Sequence, residues 1–309
     1  MSGPAFERVA VIGLGLLGGS VAAAARTRRV ARRVVGVARL RETAAAALRD
    51  GVADEAGTDV EQLVAGAELV VLATPIGAMA PVLGRAARAL AEGAVVTDVG
   101  SLKGALSETL PGLLPPGVAY VGAHPMAGSH RRGLDHARAA LLAGAACIVA
   151  PGRDAPARAV AKVTAFFEAL GAHVVLREPD RHDAEVAWVS HLPHALAFAY
   201  ARALSEAPRD AAAVRGPGFR DFSRIAWSDP ELWAEILCAN RKALAGPLGL
   251  LATRLAELAR AVEQGDAEAV ERFLASARDS LARFADDARS GGDHPENPRS
   301  KGALSSSHD

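Results

Sequence analysis

The run Gly13-Leu14-Gly15-Leu16-Leu17-Gly18 has the spacing of a phosphate cradle. Gly13 permits a tight turn, Gly15 lets the backbone approach a pyrophosphate, and Gly18 lets a helix pack closely on a strand. Unpaired N–H groups and the positive end of the helix dipole then face the anion. An ordinary glycine-rich turn is the alternative, but an apolar strand at 9–12 precedes the loop and an alanine-rich run follows it. Dinucleotide binding through Gly13, Gly15, Leu16, Leu17 and Gly18 is therefore expected.

Three further strand ends carry polar chemistry. Glu68-Leu-Val-Val-Leu-Ala73 runs into Thr74-Pro75, placing both near a cofactor unless Pro75 merely ends the strand. Ala94-Val-Val-Thr-Asp98 leads to Val99-Gly-Ser101-Leu-Lys103, which would deliver a hydroxyl and an ammonium to the same crevice. Locally, Ser101 could simply cap the next helix. Tyr120-Val-Gly-Ala-His124 ends in an imidazole able to accept a proton from an alcohol beside a nicotinamide.

These residues require a parallel sheet to hold them. Strand and helix signals alternate from the glycine loop onward, which implies an α/β, Rossmann-type domain with both sheet faces covered. A crossover helix over about 18–29 precedes a second strand at 34–37. Helices are expected from 44, over 61–64, 79–90 and 157–170, and the strands at 145–150 and 172–176 are expected to close the sheet. His173 reads as packed at a strand start.

An NAD enzyme places Asp or Glu after the second strand to bond both ribose hydroxyls, whereas a 2′-phosphate calls for arginine. Here the sequence is Ala38-Arg39-Leu40-Arg41. NADP is accordingly expected in preference to NAD, with Arg39 and Arg41 on the phosphate. The alternative is that both are surface arginines of an arginine-rich chain.

After Pro179 the strand signals stop. Residues 181–206 read as one long helix interrupted by Pro193, and proline inside a helix frees a carbonyl and kinks the axis. His191 and His194 are three apart, but no carboxylate or cysteine set completes a metal site, and none is expected. Arg220 and Arg224 fall four apart on one helix face, while Trp227 and Trp233 could be plain core residues. Further helices over 230–242, 247–264 and 266–287 make an all-helical part suited to dimerisation. The expected domains are 1–178 for the dinucleotide and 179–289 for substrate and dimerisation, with a disordered tail at 290–309 rich in Gly, Ser, Pro and charge.

Composition narrows the function. Thirty-five basic and thirty-five acidic residues give no net charge, which argues against a nucleic-acid or membrane-surface partner. Half the residues are hydrophobic, enough for a substantial core. Cys147 and Cys238 form no Cys-x-x-Cys pair, which fits a reducing compartment. Without a signal-peptide pattern or an apolar run long enough to span a bilayer, a cytoplasmic location is expected.

Taken together, Gly13 to Ser20, Asp98 to Lys103, His124-Pro-Met-Ala-Gly128, Ser190-His-Leu-Pro-His194 and Gly218-Phe-Arg-Asp-Phe-Ser-Arg-Ile-Ala226 with Ser228-Asp-Pro230 resemble prephenate and arogenate dehydrogenases over residues 7–285. The last three motifs are not general dehydrogenase features. The resemblance implies NAD(P)-dependent oxidative decarboxylation in tyrosine biosynthesis and a homodimer interlocked through the helical domain. It implies His124 as base toward the ring hydroxyl and Ser101 orienting both. Arg224 would grip a substrate carboxylate, His191 would line the pocket, and Trp233 would reach in from the other subunit.

Many relatives carry an acid where this chain has His130, which leaves the choice among prephenate, arogenate and a 4-amino analogue open. A β-hydroxyacid dehydrogenase would call for a catalytic lysine in the helical domain, and Lys242 lacks the matching surroundings. A redox-sensing module that only binds dinucleotide would have no use for His124, Ser101 and Arg224 converging.

Overall fold

The computed structural model describes residues 4–128 and 131–290. Six strands form one parallel sheet in the order β3-β2-β1-β4-β5-β6. They are β1 (Phe6–Ile12), β2 (Ala31–Val37), β3 (Glu55–Gly57), β4 (Leu69–Leu72), β5 (Val95–Asp98) and β6 (Ala119–Tyr120). The helices α1 (Leu16–Thr27), α2 (Arg41–Arg49), α3 (Val60–Val64), α4 (Ile76–Ala86) and α5 (Gly104–Thr109) lie between these strands.

Strand alternation divides the core into two layers. Val9, Val11, Val34 and Val71 pack with Val21, Ala25 and Phe166. Ala10, Ile12, Val35 and Val70 pack with Val60, Met79, Leu83 and Leu106. With both faces covered, the strands read as continuous apolar runs, as parallel sheets do.

The strands expected to close this sheet do not. Ala146–Ala150 (β8) and His173–Leu176 (β9) join Gly122–Pro125 (β7) in a separate three-stranded sheet, ordered β7-β8-β9. In it β7 and β8 are antiparallel, and α6 (Ala157–Ala169) connects β8 to its parallel neighbour β9. The crossing between sheets occurs at Val121, whose N–H bonds the Val96 carbonyl at 2.9 Å. The next residue, Gly122, is already opposite Ala150. Apolar runs announce strands but do not assign them to a sheet. His173 is exposed rather than packed.

The expected long helix is segmented. It comprises α7 (Pro179–Val186), a wider π turn over Ala187–His191, α8 (Leu192–Ala203) and a 3-10 turn over Leu204–Glu206. Pro193 lacks the N–H an ordinary helix would use, and the π turn directly before it absorbs the defect. The chain continues through α9 (Pro217–Ser223) and a 3-10 turn over Arg224–Trp227 to α10 (Pro230–Ala239), α11 (Arg241–Glu263) and α12 (Ala267–Ser290). Trp227 is 78% exposed and is not a core residue.

By its internal contacts the chain divides at Pro247, so the residues from Pro179 to Pro247 group with the sheets. The second unit holds the rest of α11 and α12, turning at Gly265 with φ +67°. The expectation of a disordered tail falls, from residue 291 onward, outside the described residues.

Candidate active site

The glycine loop takes the form its spacing predicts. Gly13 has φ +101°, and a Cβ there would lie 2.6 Å from the Ala73 carbonyl oxygen. A Cβ on Gly18 would lie 1.9 Å from the Gly13 oxygen, so only glycine allows α1 to sit this close to the strand end. At Gly15 a Cβ would meet nothing within 4 Å. That open space fronts the N-terminus of α1, which has no side-chain cap and no acid in its first turn.

Gly15, Leu16, Leu17, Thr74, Pro75, Ser101 and Trp233 come together around one crevice of about 510 Å³, a size typical of small-molecule sites. The Thr74 hydroxyl is buried there with no hydrogen-bond partner among the described residues. An uncapped helix N-terminus, a glycine facing open space and an orphaned hydroxyl fit a bound dinucleotide pyrophosphate. α10 forms the opposite wall, tied to the start of α4 by Glu235, which accepts the Gly77 N–H.

Lys103 is a correction. Its ammonium points into the interior, fully buried, where it pairs with Asp98 and donates to the Ala123 carbonyl at 2.7 Å. The physical reason is Asp98, which is itself buried and needs a cation. Asp98 also accepts the Tyr120 hydroxyl at 2.6 Å and the Ala123 N–H at 3.3 Å. Burial lowers the Lys103 ammonium from its ordinary value against the opposing pull of Asp98. Burial and Asp98 together raise the Tyr120 phenol well above its own. Both backbone groups of Ala123 are thereby clamped, and the next residue is His124.

The His124 ring is 8% exposed. Its Nδ1 lies 2.9 Å from Nε2 of His182, whose Nδ1 lies 2.8 Å from Asp183 Oδ1. Burial, then the neighbouring His182, Lys103 and His191, hold the His124 imidazolium well below its usual pKa, so the ring is neutral.

His191, on the last residue of the π turn, is buried, and Asn240 holds its Nδ1 at 2.9 Å. Burial pushes it down to about 4, with Asp183 opposing. Its Nε2 has no partner among the described residues. Trp233 stacks on His194 with ring centres 3.6 Å apart and meets His191 edge-on. Trp233 also lines the crevice of its own chain.

Arg224 is exposed, with no ion-pair partner among the described residues, and its charge lowers His194, after the larger effect of burial. Arg39 is exposed just past β2, whose Val37 carbonyl accepts the Gly13 N–H at 2.8 Å. Arg41 borders a separate depression with Leu48, Asp59 and Gln62. His130 lies outside the described residues. Among the described residues no cluster of His, Cys, Asp or Glu is arranged to hold a metal.

Comparison with known proteins decides the family. A model of the prephenate dehydrogenase nucleotide-binding domain matches residues 21–176, and one of the prephenate dehydrogenase dimerization domain matches 178–276. The chain belongs to the prephenate dehydrogenase family. Prephenate dehydrogenase of Bacillus subtilis is 31% identical over 277 residues, covering 88% of this chain and 75% of that protein. Cyclohexadienyl dehydrogenase of Zymomonas mobilis is 31% identical over 284 residues, covering 90% and 96%. Among solved structures, prephenate dehydrogenase from A. aeolicus with hydroxyphenyl propionate and NAD+ superposes with a TM-score of 0.82 at 28% identity, covering 92% of this chain and 99% of that one. Synechocystis arogenate dehydrogenase superposes at 0.74 with 30% identity, covering 90% and 99%.

In this family member, sequence reasoning passed over His182 and Asp183. They lie 58 and 59 positions beyond His124, and only folding reveals the contact.

Proposed function

We propose that this protein catalyses the oxidative decarboxylation of prephenate or arogenate, with His124 as base and NADP preferred over NAD. The observation that carries the reading is a neutral, clamped imidazole on a strand that runs on into Ala127 and Gly128, which line a crevice fit for a dinucleotide. The nicotinamide, when bound, supplies the hydride acceptor. His124 would take the proton of the ring hydroxyl as hydride leaves the ring carbon. Ser101, on the crevice wall, would orient that hydroxyl. Loss of carbon dioxide follows because the ring becomes aromatic, so the protein's main task is alignment.

Arg224, exposed and without an ion-pair partner among the described residues, offers a planar fork for a substrate carboxylate, and His191 offers its Nε2, also without a partner there. Trp233 supplies an apolar wall. The absence of an acid after β2, with Arg39 exposed there, supports a 2′-phosphate. A homodimer through the helical part is supported by the exposed apolar residues Val262, Leu274, Leu281 and Phe284 of α11 and α12. No described helix is long and apolar enough to cross a membrane. The free cysteines are in keeping with a reducing, cytoplasmic setting.

The test mixes the protein with prephenate, arogenate or the 4-amino analogue, each with NADP or NAD, and follows absorbance of the reduced cofactor. The highest kcat/KM is expected for prephenate or arogenate with NADP. His124→Asn is expected to abolish turnover while cofactor affinity stays near wild type. Wild-type turnover in that variant would remove His124 as base.

A further inference from the structure

The geometry points to His182 and Asp183 as a positioning pair that fixes which nitrogen of His124 carries the proton, leaving Nε2 as the basic atom. This rests on the reading of His124 as base. The logic is one of donors and acceptors passed along a chain. Asp183 accepts not only from His182 but also from the backbone N–H groups of Lys103 at 2.8 Å and Gly104 at 2.9 Å. Burial raises its carboxyl, but the bonds from His182, Lys103 and Gly104 outweigh that and hold it below its ordinary value. An ionised carboxylate is acceptor-only, so the facing His182 Nδ1 must donate.

A neutral imidazole has one N–H. With His182 in its neutral form, that N–H is used toward Asp183, and its Nε2 presents a lone pair to His124 Nδ1, 2.9 Å away. His124 Nδ1 must then be the donor, and the lone pair of His124 stands on Nε2. Free histidine in water favours the opposite tautomer, with the proton on Nε2, which would leave no base on the substrate side. A cationic His182 would donate from both nitrogens and force that unproductive form. The pair also serves the Ser101 loop, because Asp183 holds the two N–H groups immediately after Ser101-Leu102. Asn240 fastens the arrangement to α10 through the Asp183 carbonyl at 2.9 Å.

The decisive measurement is the pair of 15N shifts of the His124 ring in the full chain labelled with 15N-histidine, assigned by their loss in His124→Asn. A protonated Nδ1 and an unprotonated Nε2 are expected. The reverse assignment overturns the proposal and leaves the base reading standing, whereas unimpaired turnover in His124→Asn strikes the base reading itself. Kinetics supply a second arm. In His182→Gln the carboxamide oxygen can still accept from His124 Nδ1, so kcat is expected to remain within about tenfold of wild type. His182→Leu is expected to lose on the order of 10²- to 10⁴-fold in kcat with KM little changed. Equal losses in the two variants, or a loss confined to KM, would refute the relay. If either variant fails to fold, the wild-type shifts decide.

Discussion

Gly15 and Gly18, three residues apart in the glycine loop, carry opposite structural burdens, and alanine at each separates them. In Gly18→Ala the new Cβ falls 1.9 Å from the Gly13 oxygen and 2.7 Å from the Ala73 Cβ. The first approach is more than an ångström inside contact distance, and its partner is backbone that cannot swing away. Overpacking of this kind costs about 1–3 kcal/mol, and a backbone clash belongs at the upper end. With an unfolding entropy of about 2.1 cal/mol/K per residue, 309 residues give about 1.5 °C per kcal/mol, so Tm should fall by roughly 3–5 °C.

Gly15 has φ −86° and ψ −160°, which alanine adopts without strain, and its Cβ meets nothing within 4 Å. Gly15→Ala should therefore keep or slightly raise Tm, since alanine reduces the freedom of the unfolded chain. Its methyl would stand where the pyrophosphate must approach, and cofactor Kd should weaken at least about tenfold, or ~1.4 kcal/mol. Thermal unfolding by circular dichroism and NADP titration by calorimetry measure the two quantities. Wild-type affinity in Gly15→Ala would show that the pyrophosphate sits elsewhere, and an unchanged Tm in Gly18→Ala would refute the packing argument.

The acid limb of kcat/KM should lie below pH 6.5. His124 is depressed by burial and its neighbours, so it stays neutral and active until the pH falls through that lower value, and a limb at or above 6.5 would contradict the depression. Arg39→Asp should shift the ratio of kcat/KM values toward NAD, because the carboxylate repels a 2′-phosphate and can bond a ribose hydroxyl. No shift would remove the support for NADP. Arg224→Ala should chiefly raise substrate KM, by about 10- to 150-fold, if it removes a charge-assisted pair of about 1.5–3 kcal/mol. A KM equal to wild type would exclude Arg224 from carboxylate binding.

What the sequence discloses follows the range of the forces involved. The glycine loop and the buried runs at 9–12, 69–72 and 95–98 are local patterns, and they fold as read. Glu55–Gly57 is a three-residue edge strand with no apolar run to announce it, held by pairing with β2. Lys103 carries the same ammonium in either direction, and only the buried Asp98 five residues earlier turns it inward. The contact of His124 with His182 is a long-range event between β7 and α7, which neither periodicity nor spacing encodes. Trp233 and Trp227 look alike in sequence, yet one stacks on His194 and the other faces outward.

The single extended run from Tyr120 to His124, shared between two sheets, acts as a ruler. Its near end is gauged against Val96 and its far end against Ile148. Because successive side chains alternate, deleting one residue would turn the imidazole to the face now occupied by Ala123. Deleting two would restore the face but draw the imidazole back by about 7 Å. The position of the His124 ring is thus metered by strand pitch.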